Sequence, residues 1–485
     1  MVCLTSSPER IPVLEERFFA GWENGSLMTG DNPNILLIIL DSARARNTSL
    51  HGYHRDTMPF LEQFSETATV YTQARAPAGR SLPSHASIFT GYLPQEHDVH
   101  ALDTKLVEGS SVFETLSDDG YTTGLFTDNP YLTDLDTGLS NGFDIVVNNR
   151  DLFEDGLSPS AFVEQEDLDR TEFLNKALRS DAPAKSVLNG VSWMMKWRFP
   201  RLAPSGVVFS RGFTYADQLA DWRRSIDTDP WAACINLMDT HVPFRPDEEY
   251  DNWTSPDSEK ARKRVDMENI EENEEWKHTL LEDQYDGTIR QADAVVEEII
   301  TSLRQDGVLD ETCVVITADH GEGFGERNPI DNVSSIGHGD AVDETLLHVP
   351  LITKVPRRSE GQTIHEPVGL VDTPIAIERF VQEESDQAFV TDRSVFAGGI
   401  KDRDPVDVSY EPHESHGVSK YVRSSSGEHT IHIPTPWTEY LQRSNIPKTV
   451  KKEMSELSPA EITTDSNSSV SETARQQLSA LGYTE

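Results

Sequence analysis

Five places in the chain put acids, imidazoles or a hydroxyl where an α/β protein does chemistry. The apolar run Asn34-Ile35-Leu36-Leu37-Ile38-Ile39-Leu40 ends at Asp41. The strand-like Tyr121–Thr127 stretch runs into Asp128-Asn129-Pro130, and Trp231–Met238 delivers Asp239-Thr240-His241. Cys313–Thr317 ends in Ala318-Asp319-His320-Gly321-Glu322. Parallel sheets bind ligands in the crevice beyond the carboxyl ends of their strands. A single acid there is as readily a turn cap as a ligand. Several together point to one crevice holding a divalent cation. Carboxylates with one imidazole suit Ca²⁺, Mn²⁺ or Zn²⁺, and donor softness alone does not choose among them.

The fifth place is Arg80-Ser81-Leu82-Pro83-Ser84-His85-Ala86-Ser87-Ile88-Phe89-Thr90-Gly91. Proline is favoured in the first turn of a helix, where its missing N–H costs nothing. Ser81 therefore stands at a helix entrance, beside unsatisfied backbone donors and the positive end of the dipole. Such a hydroxyl is either a simple N-cap or a nucleophile held against an anionic ester.

The elements that must position these groups alternate between strand and helix. Asn34–Leu40 reads as a strand buried on both faces of a parallel sheet. Helices are predicted over Pro59–Ala68, Ser111–Asp119, Tyr215–Ile226 and Asp283–Arg304. The last carries Ile289, Ala292, Val296, Ile299, Ile300 and Leu303 on one stripe. Val349–Lys354 is a fifth short strand. Gly190–Pro200, apolar and aromatic, is expected to pack under a loop rather than touch a membrane. Ser255–Glu275 is a dense charge run and reads as a solvated segment. From about Asp386 shorter strand-like pieces follow, including Ser419–Arg423 and His429–Ile433. This pattern gives an N-terminal extension over 1–33, an α/β catalytic domain over 34–385, a small antiparallel subdomain over 386–450, and an acidic tail with a terminal helix over 451–485.

Composition narrows the function. The 485 residues carry 42 Lys and Arg against 83 Asp and Glu, a formal net charge of −41. Nucleic-acid binding needs a basic face, so that class is excluded. Carboxylates dispersed along the whole chain read as a solvated surface suited to high salt. Cys3, Cys234 and Cys313 are too few and too scattered for a disulfide framework or a zinc knuckle. No apolar run approaches the length of a membrane span. Met1–Asp31 lacks a charged region followed by an apolar one, so a cytoplasmic protein is expected.

The ordered set resembles the sulfatase family of the alkaline phosphatase superfamily. It comprises strand-Asp41, Ser81-Leu82-Pro83-Ser84-His85-Ala86-Ser87, Asp239-Thr240-His241, Thr317-Ala318-Asp319-His320-Gly321-Glu322 and Gly337-His338-Gly339. Leu50-His51-Gly52-Tyr53, Tyr285-Asp286-Gly287-Thr288 and Leu481-Gly482-Tyr483 add to the likeness, which runs from about Asn34 to Pro356. With such acidity it looks like the haloarchaeal branch. The resemblance implies a mixed, mostly parallel sheet sandwiched by helices, with a small C-terminal antiparallel subdomain. It implies metal ligation by Asp41, Ser81, Asp319 and His320. Catalytic roles fall on Ser81, His85, His241 and His338, and ester contact on Asn129, His241 and His338. One divalent cation is expected, Ca²⁺ or Mn²⁺ ahead of Zn²⁺.

Three departures separate this chain from the family pattern. Family members usually carry two adjacent acids after the first strand, whereas Ser42 follows Asp41. The family nucleophile is formylglycine, made from Cys or Ser in a Cys/Ser-x-Pro-x-Arg signature, and here His85 replaces the arginine. No cysteine occupies the site, and formylglycine at Ser81 is disfavoured. The lysine of the family's Gly-Lys-Trp-His stretch is absent from Thr127-Asp128-Asn129-Pro130, where Asn129 offers an amide. The expectation is a metal-dependent hydrolase of sulfate or phosphate esters, on a glycan or a small molecule, with Ser81 as nucleophile. The alternatives are a phospho-group transferase working through a covalent Ser81 intermediate, and a catalytically silent ligand-binding relative.

Overall fold

Asn34–Leu40 forms strand β1, and every residue of it is buried. It hydrogen-bonds in parallel on both sides, to Trp231–Leu237 and to Thr312–Thr317. This is why the run is continuously apolar: both of its faces are covered. The computed structural model describes residues 32–149, 156–157, 170–198, 211–226, 230–255, 275–327, 334–339, 343–382, 388–389, 395–401, 417–424, 427–433 and 459–466. The N-terminal extension, most of the Ser255–Glu275 charge run and the expected terminal helix lie outside them.

Among the described residues the main sheet has eight strands. In chain order they are β1, β2 (Thr69–Tyr71), β3 (Thr122–Phe126), β4 (Ile145–Val147), β5 (Trp231–Leu237), β6 (Thr312–Thr317), β7 (Leu351–Lys354) and β8 (Gln362–Ile364). They stand side by side as β8-β2-β7-β6-β1-β5-β3-β4. Only β7 runs against its neighbours, pairing antiparallel with both β6 and β2. The sheet is thus mixed and mostly parallel, and helices flank it.

Register places the chemistry. Leu40 lies opposite Leu237, and Ile39 opposite Thr317. The next residues of β1, β5 and β6 therefore emerge level at one edge, and they include Asp41, Met238 and Asp319. The helices that serve this edge are α1 (Ser81–Thr90) and α5 (Glu275–Gln305). Between them in the chain come α2 (Arg170–Ala177), α3 (Pro183–Arg198) and α4 (Gly212–Ser225). The α5 stripe from Ile289 to Leu303 is buried as its spacing predicts, and Tyr285 and Val295 join it. The helix is longer than expected, starting at Glu275. Cys234 and Cys313 are buried, unbridged side chains of β5 and β6.

Two expectations need correcting. Ser81 is not the cap of its helix but its first residue; Arg80 occupies the cap position and makes no capping side-chain bond. Gly190–Arg198, expected to pack under a loop, continues α3, and Val191 is exposed. Part of the acidic tail folds back on the body. Thr463–Asp465 pairs antiparallel with Thr104–Leu106, and Ile462 is fully buried. The expected C-terminal antiparallel pieces form a three-stranded sheet of Val395–Lys401, Gly417–Ser424 and Gly427–Ile433. No helix among the described residues is long and apolar enough to cross a membrane.

Candidate active site

Asp41, Asp319 and His320 converge beyond the ends of β1 and β6, with ligand atoms within 4.8 Å of one another and all three side chains buried. Each is aimed by its neighbours. The Asp41 carboxylate accepts amide donors from Asn129 at 3.0 Å and Asn236 at 3.1 Å on Oδ2, and the Ser42 hydroxyl at 3.1 Å on Oδ1. Asp319 Oδ1 accepts the backbone N–H groups of Ser42 at 3.1 Å and His320 at 3.0 Å. Ser42 reaches it by adopting the left-handed region at φ 66°, a conformation that costs a non-glycine residue about 1–2 kcal/mol. Where the family usually places a second acid, this chain supplies a backbone donor instead.

The remaining atoms fit a cation. His320 Nδ1–H donates to Gly321 O at 2.9 Å, which leaves Nε2 with a lone pair. That lone pair lies 3.4 Å from Asp319 Oδ2, a buried carboxylate oxygen without a hydrogen-bond partner. Two facing acceptors repel unless a proton or a cation lies between them. Burial, and next to it the charge of His338, pull the His320 imidazole down to about 3, so it stays a neutral ligand. The group comprises three of the four residues expected to ligate, Asp41, Asp319 and His320, and its oxygens and one imidazole suit Ca²⁺, Mn²⁺ or Zn²⁺ without choosing among them.

Ser81 opens onto the same point. Its Oγ lies 3.2 Å from His320 Nε2, and the residue is 2 % exposed. Helix α1 is fastened to β6 by Ser84, whose hydroxyl donates to Asp319 O at 2.5 Å. His85, one turn on, donates from Nδ1 to Ser81 O at 2.9 Å and lies 3.5 Å from Asp319 Oδ2. The imidazole in the arginine's place therefore grips the backbone of Ser81 and lies beside the orphaned carboxylate oxygen.

His241 and His338 complete the rim. Their ring centroids are 5.1 Å apart, and His338 lies 4.6 Å from His320. His241 follows a single turn, Met238–Thr240, and donates from Nδ1 to Val242 O at 2.8 Å. The hydroxyl of Thr240 ties that turn to Asp41 O at 2.5 Å. His338 comes from a hairpin, Gly323–Arg327 with Ser334–Gly337, in which Gly323 pairs with Gly337. The open end of this hairpin sets His338 Nδ1 3.0 Å from the buried carboxylate of Glu322 and leaves Nε2 without a protein partner. Burial pulls the His338 imidazole down, but the Glu322 carboxylate, with Asp41 and Asp319 behind it, lifts it to about 9. His241 is pulled below its ordinary value, chiefly by burial. The rim thus pairs a protonated imidazole with a neutral one.

Asn129 and Asp239 take places that sequence alone did not show. The Asn129 amide donates to Asp41, as above, and accepts Tyr131 N–H at 3.0 Å, capping the next short helix. Asp239 turns away from the crevice, accepting Gly212 N–H at 3.0 Å and the Gln291 amide at 2.7 Å. Glu322, Asn236 and Arg44 were not singled out from the sequence. Asn236 is the one amide in the apolar run of β5, a signal that was there to be read. Arg44 is fully buried and donates to Asn47 at 2.6 Å, Glu322 O at 2.9 Å, Glu326 at 2.6 Å and Glu282 at 2.9 Å. It ties the loop after Asp41 to both strands' chemistry, since Glu322 and Glu326 belong to the His338 hairpin and its approach.

Known proteins resemble this chain in sequence and in fold. The sulfatase family model matches residues 33–377. Arylsulfatase K of Xenopus laevis is 39% identical over 82 residues, which is 17% of this chain and 14% of that protein. The crystal structure of the phosphonate monoester hydrolase of Agrobacterium radiobacter superposes with a TM-score of 0.56 at 17% identity, covering 83% of this chain and 89% of the other. The phosphonate monoester hydrolase of Silicibacter pomeroyi gives a TM-score of 0.53 at 17% identity over the same shares, 83% and 89%. With the family model spanning most of the chain, this protein belongs to the sulfatase family.

Proposed function

We propose that the chain is a metal-dependent hydrolase of sulfate or phosphate esters in which Ser81, as an unmodified serine, is the nucleophile. The observation that carries this reading is the meeting of Ser81 Oγ, the His320 lone pair and the unpartnered Asp319 oxygen at one buried point. A divalent cation held by Asp41, Asp319 and His320 would draw charge from the ester oxygens and lower the cost of the serine alkoxide. Ser81, whose hydroxyl proton is released to bulk water as the alkoxide forms, then bonds through Oγ to phosphorus or sulfur while the bond to the leaving oxygen breaks. His338, protonated and oriented by Glu322, gives its Nε2 proton to that oxygen. Water afterwards cleaves the seryl ester. His85 holds the Ser81 carbonyl and so keeps the first turn of α1 in place. Asn129 and Asn236 keep the Asp41 carboxylate turned to the site.

A serine ester is stable enough to form and reactive enough to hydrolyse when phosphorus is at its centre, so a preference for phosphorus over sulfur follows. The phosphonate monoester hydrolases of similar fold act on that class. Stopped-flow assay with a nitrophenyl phosphodiester, phosphonate or sulfate tests the reading. A burst of nitrophenolate equal to the enzyme concentration, lost in Ser81→Ala, supports it. Retained turnover in Ser81→Ala overturns it.

A further inference from the structure

Helix α3 is built inside out, and α2 beside it leaves part of its apolar surface exposed. Among the described side chains of α3, 183–192, the buried ones are polar: Ser186, Asn189 and Ser192, spaced three apart on one face. Ser186 takes the Leu157 N–H at 2.8 Å and lies 2.7 Å from the Ser180 hydroxyl. Ser192 Oγ is buried without a hydrogen-bond partner. The outward positions of the same helix are apolar, with Leu188 46% and Val191 41% exposed. In α2, Phe173 and Ala177 turn inward, while Leu174 is 46% and Leu178, just past its end, 58% exposed. Gly190 lets the Phe173 ring lie against α3, since a Cβ there would be 2.3 Å from it. A soluble helix normally puts its apolar stripe toward the core.

The charge of this hairpin also runs against the rest of the chain. Residues 170–198 contain Arg170, Lys176, Arg179, Lys185, Lys196 and Arg198 against only Glu172 and Asp181. From Ala182 to Ala216 the sequence has no acid at all, in a chain with 83. The sequence of α3 ends Trp193-Met194-Met195-Lys196-Trp197-Arg198, the aromatic and cationic composition of helices that lie in a membrane interface.

We propose that the α2–α3 hairpin docks the enzyme on an anionic lipid surface. Such a surface supplies both things the hairpin presents a match for: acyl chain for Leu174, Leu178, Leu188 and Val191, and phosphate for the basic side chains. A second copy of the chain matches only one of them. Its carboxylates would attract the hairpin, but its other exposed large apolar side chains among the described residues, Val146 and Trp276, do not neighbour one another in the fold's chain order or form such a helix pair. The −41 body would be repelled by the same lipid at low salt. At physiological ionic strength that repulsion fades over about 8 Å, so groups in contact are attracted while the distant body is screened.

Flotation of the full chain with vesicles of phosphatidylcholine containing phosphatidylglycerol, and with pure phosphatidylcholine, tests the proposal. The unaltered protein should float with the anionic vesicles and about tenfold less with the neutral ones. Leu178→Asp with Val191→Asp, and separately Arg179→Glu with Lys185→Glu, should each weaken flotation about tenfold or more. Neither pair touches the catalytic residues, so turnover of a soluble nitrophenyl ester should be unchanged, which shows the variants folded. Protein that stays at the bottom of the gradient with both vesicles overturns the proposal. So does a dimer, seen by light scattering, that the Leu178→Asp and Val191→Asp pair dissolves without any effect on flotation.

Discussion

Glu322 and His338 face each other across the open end of one hairpin, carboxylate to Nδ1 at 3.0 Å, with Nε2 left to the crevice. The two residues are sixteen apart in sequence and are joined by the pairing of Gly323 with Gly337. In the proposed mechanism, where His338 is the proton donor, this contact makes Glu322 the residue that orients it.

Removing the donor should therefore matter most when the leaving group is poor. His338→Ala is expected to lower kcat for an alkyl ester about a hundredfold or more and for a nitrophenyl ester far less. Glu322→Gln, which keeps an acceptor but not the charge, should show the same selectivity in weaker form. Comparing the two ester types in each variant checks it. Equal losses for both esters would mean that the pair binds the ground state.

Asp319→Ala should abolish both bound metal and activity while the protein stays folded. The side chain sits at a strand end, and its Oδ2 has no hydrogen-bond partner and faces the His320 lone pair at 3.4 Å. Metal analysis of the purified variant, with a thermal melt alongside, is the check. Full metal occupancy would remove Asp319 from the ligand set.

Two buried carboxyls, Asp293 and Asp239, should each contribute stability that falls as pH rises through the acidic and neutral range. Burial raises Asp293 from 3.8 to about 7, against the pull of the Phe60 and Leu61 N–H groups it caps, and raises Asp239 to about 6. Both are carboxyls whose folded-state value is raised, so their stabilising contribution is complete below about pH 4 and lost as pH climbs to about 7. At 1.36 kcal/mol per unit the larger effect is up to about 4 kcal/mol. Asp293→Asn should flatten a plot of Tm against pH, measured in concentrated KCl so that surface charge is screened. A profile with unchanged slope would contradict the assignment.

High salt should be needed for full stability, because a formal charge of −41 repels itself in dilute buffer. The melting temperature should rise markedly between about 0.1 M and 3 M KCl, where the Debye length drops from about 10 Å to under 3 Å. A melt that does not move would remove the halophilic reading.

The strand ends were legible because strands buried on both faces leave unmistakable apolar runs, and parallel register brings their last residues level. That much brought Asp41, Asn129, Asp239 and Asp319 to one sheet edge; singling out Asp41, Asp319 and His320 as ligands needed the family resemblance. The orientation of Asp239 was not legible: the single turn after β5 points it at Gly212 and Gln291, and no spacing rule reports the hand of such a turn. Nor was Glu322 as a partner of His338, since that contact depends on where a hairpin begins to pair. Arg44 was missed because a buried guanidinium among Glu282, Glu326 and Asn47 looks, in sequence, like one more surface charge. The α3 helix was misplaced for a related reason. Composition revealed its apolar and aromatic content, but only the fold shows that its polar face is the one turned inward.

The central claim is that Ser81 reacts as a serine although it occupies the position of a formylglycine. Mass spectrometry of the Ser81 peptide from the native host, at rest and quenched during turnover of a phosphodiester, tests it most directly. The account predicts an unmodified serine at rest and a phosphorylated Ser81 under turnover. A resting peptide lighter by two hydrogens and trapped by a carbonyl reagent would contradict it and restore the aldehyde mechanism of the family.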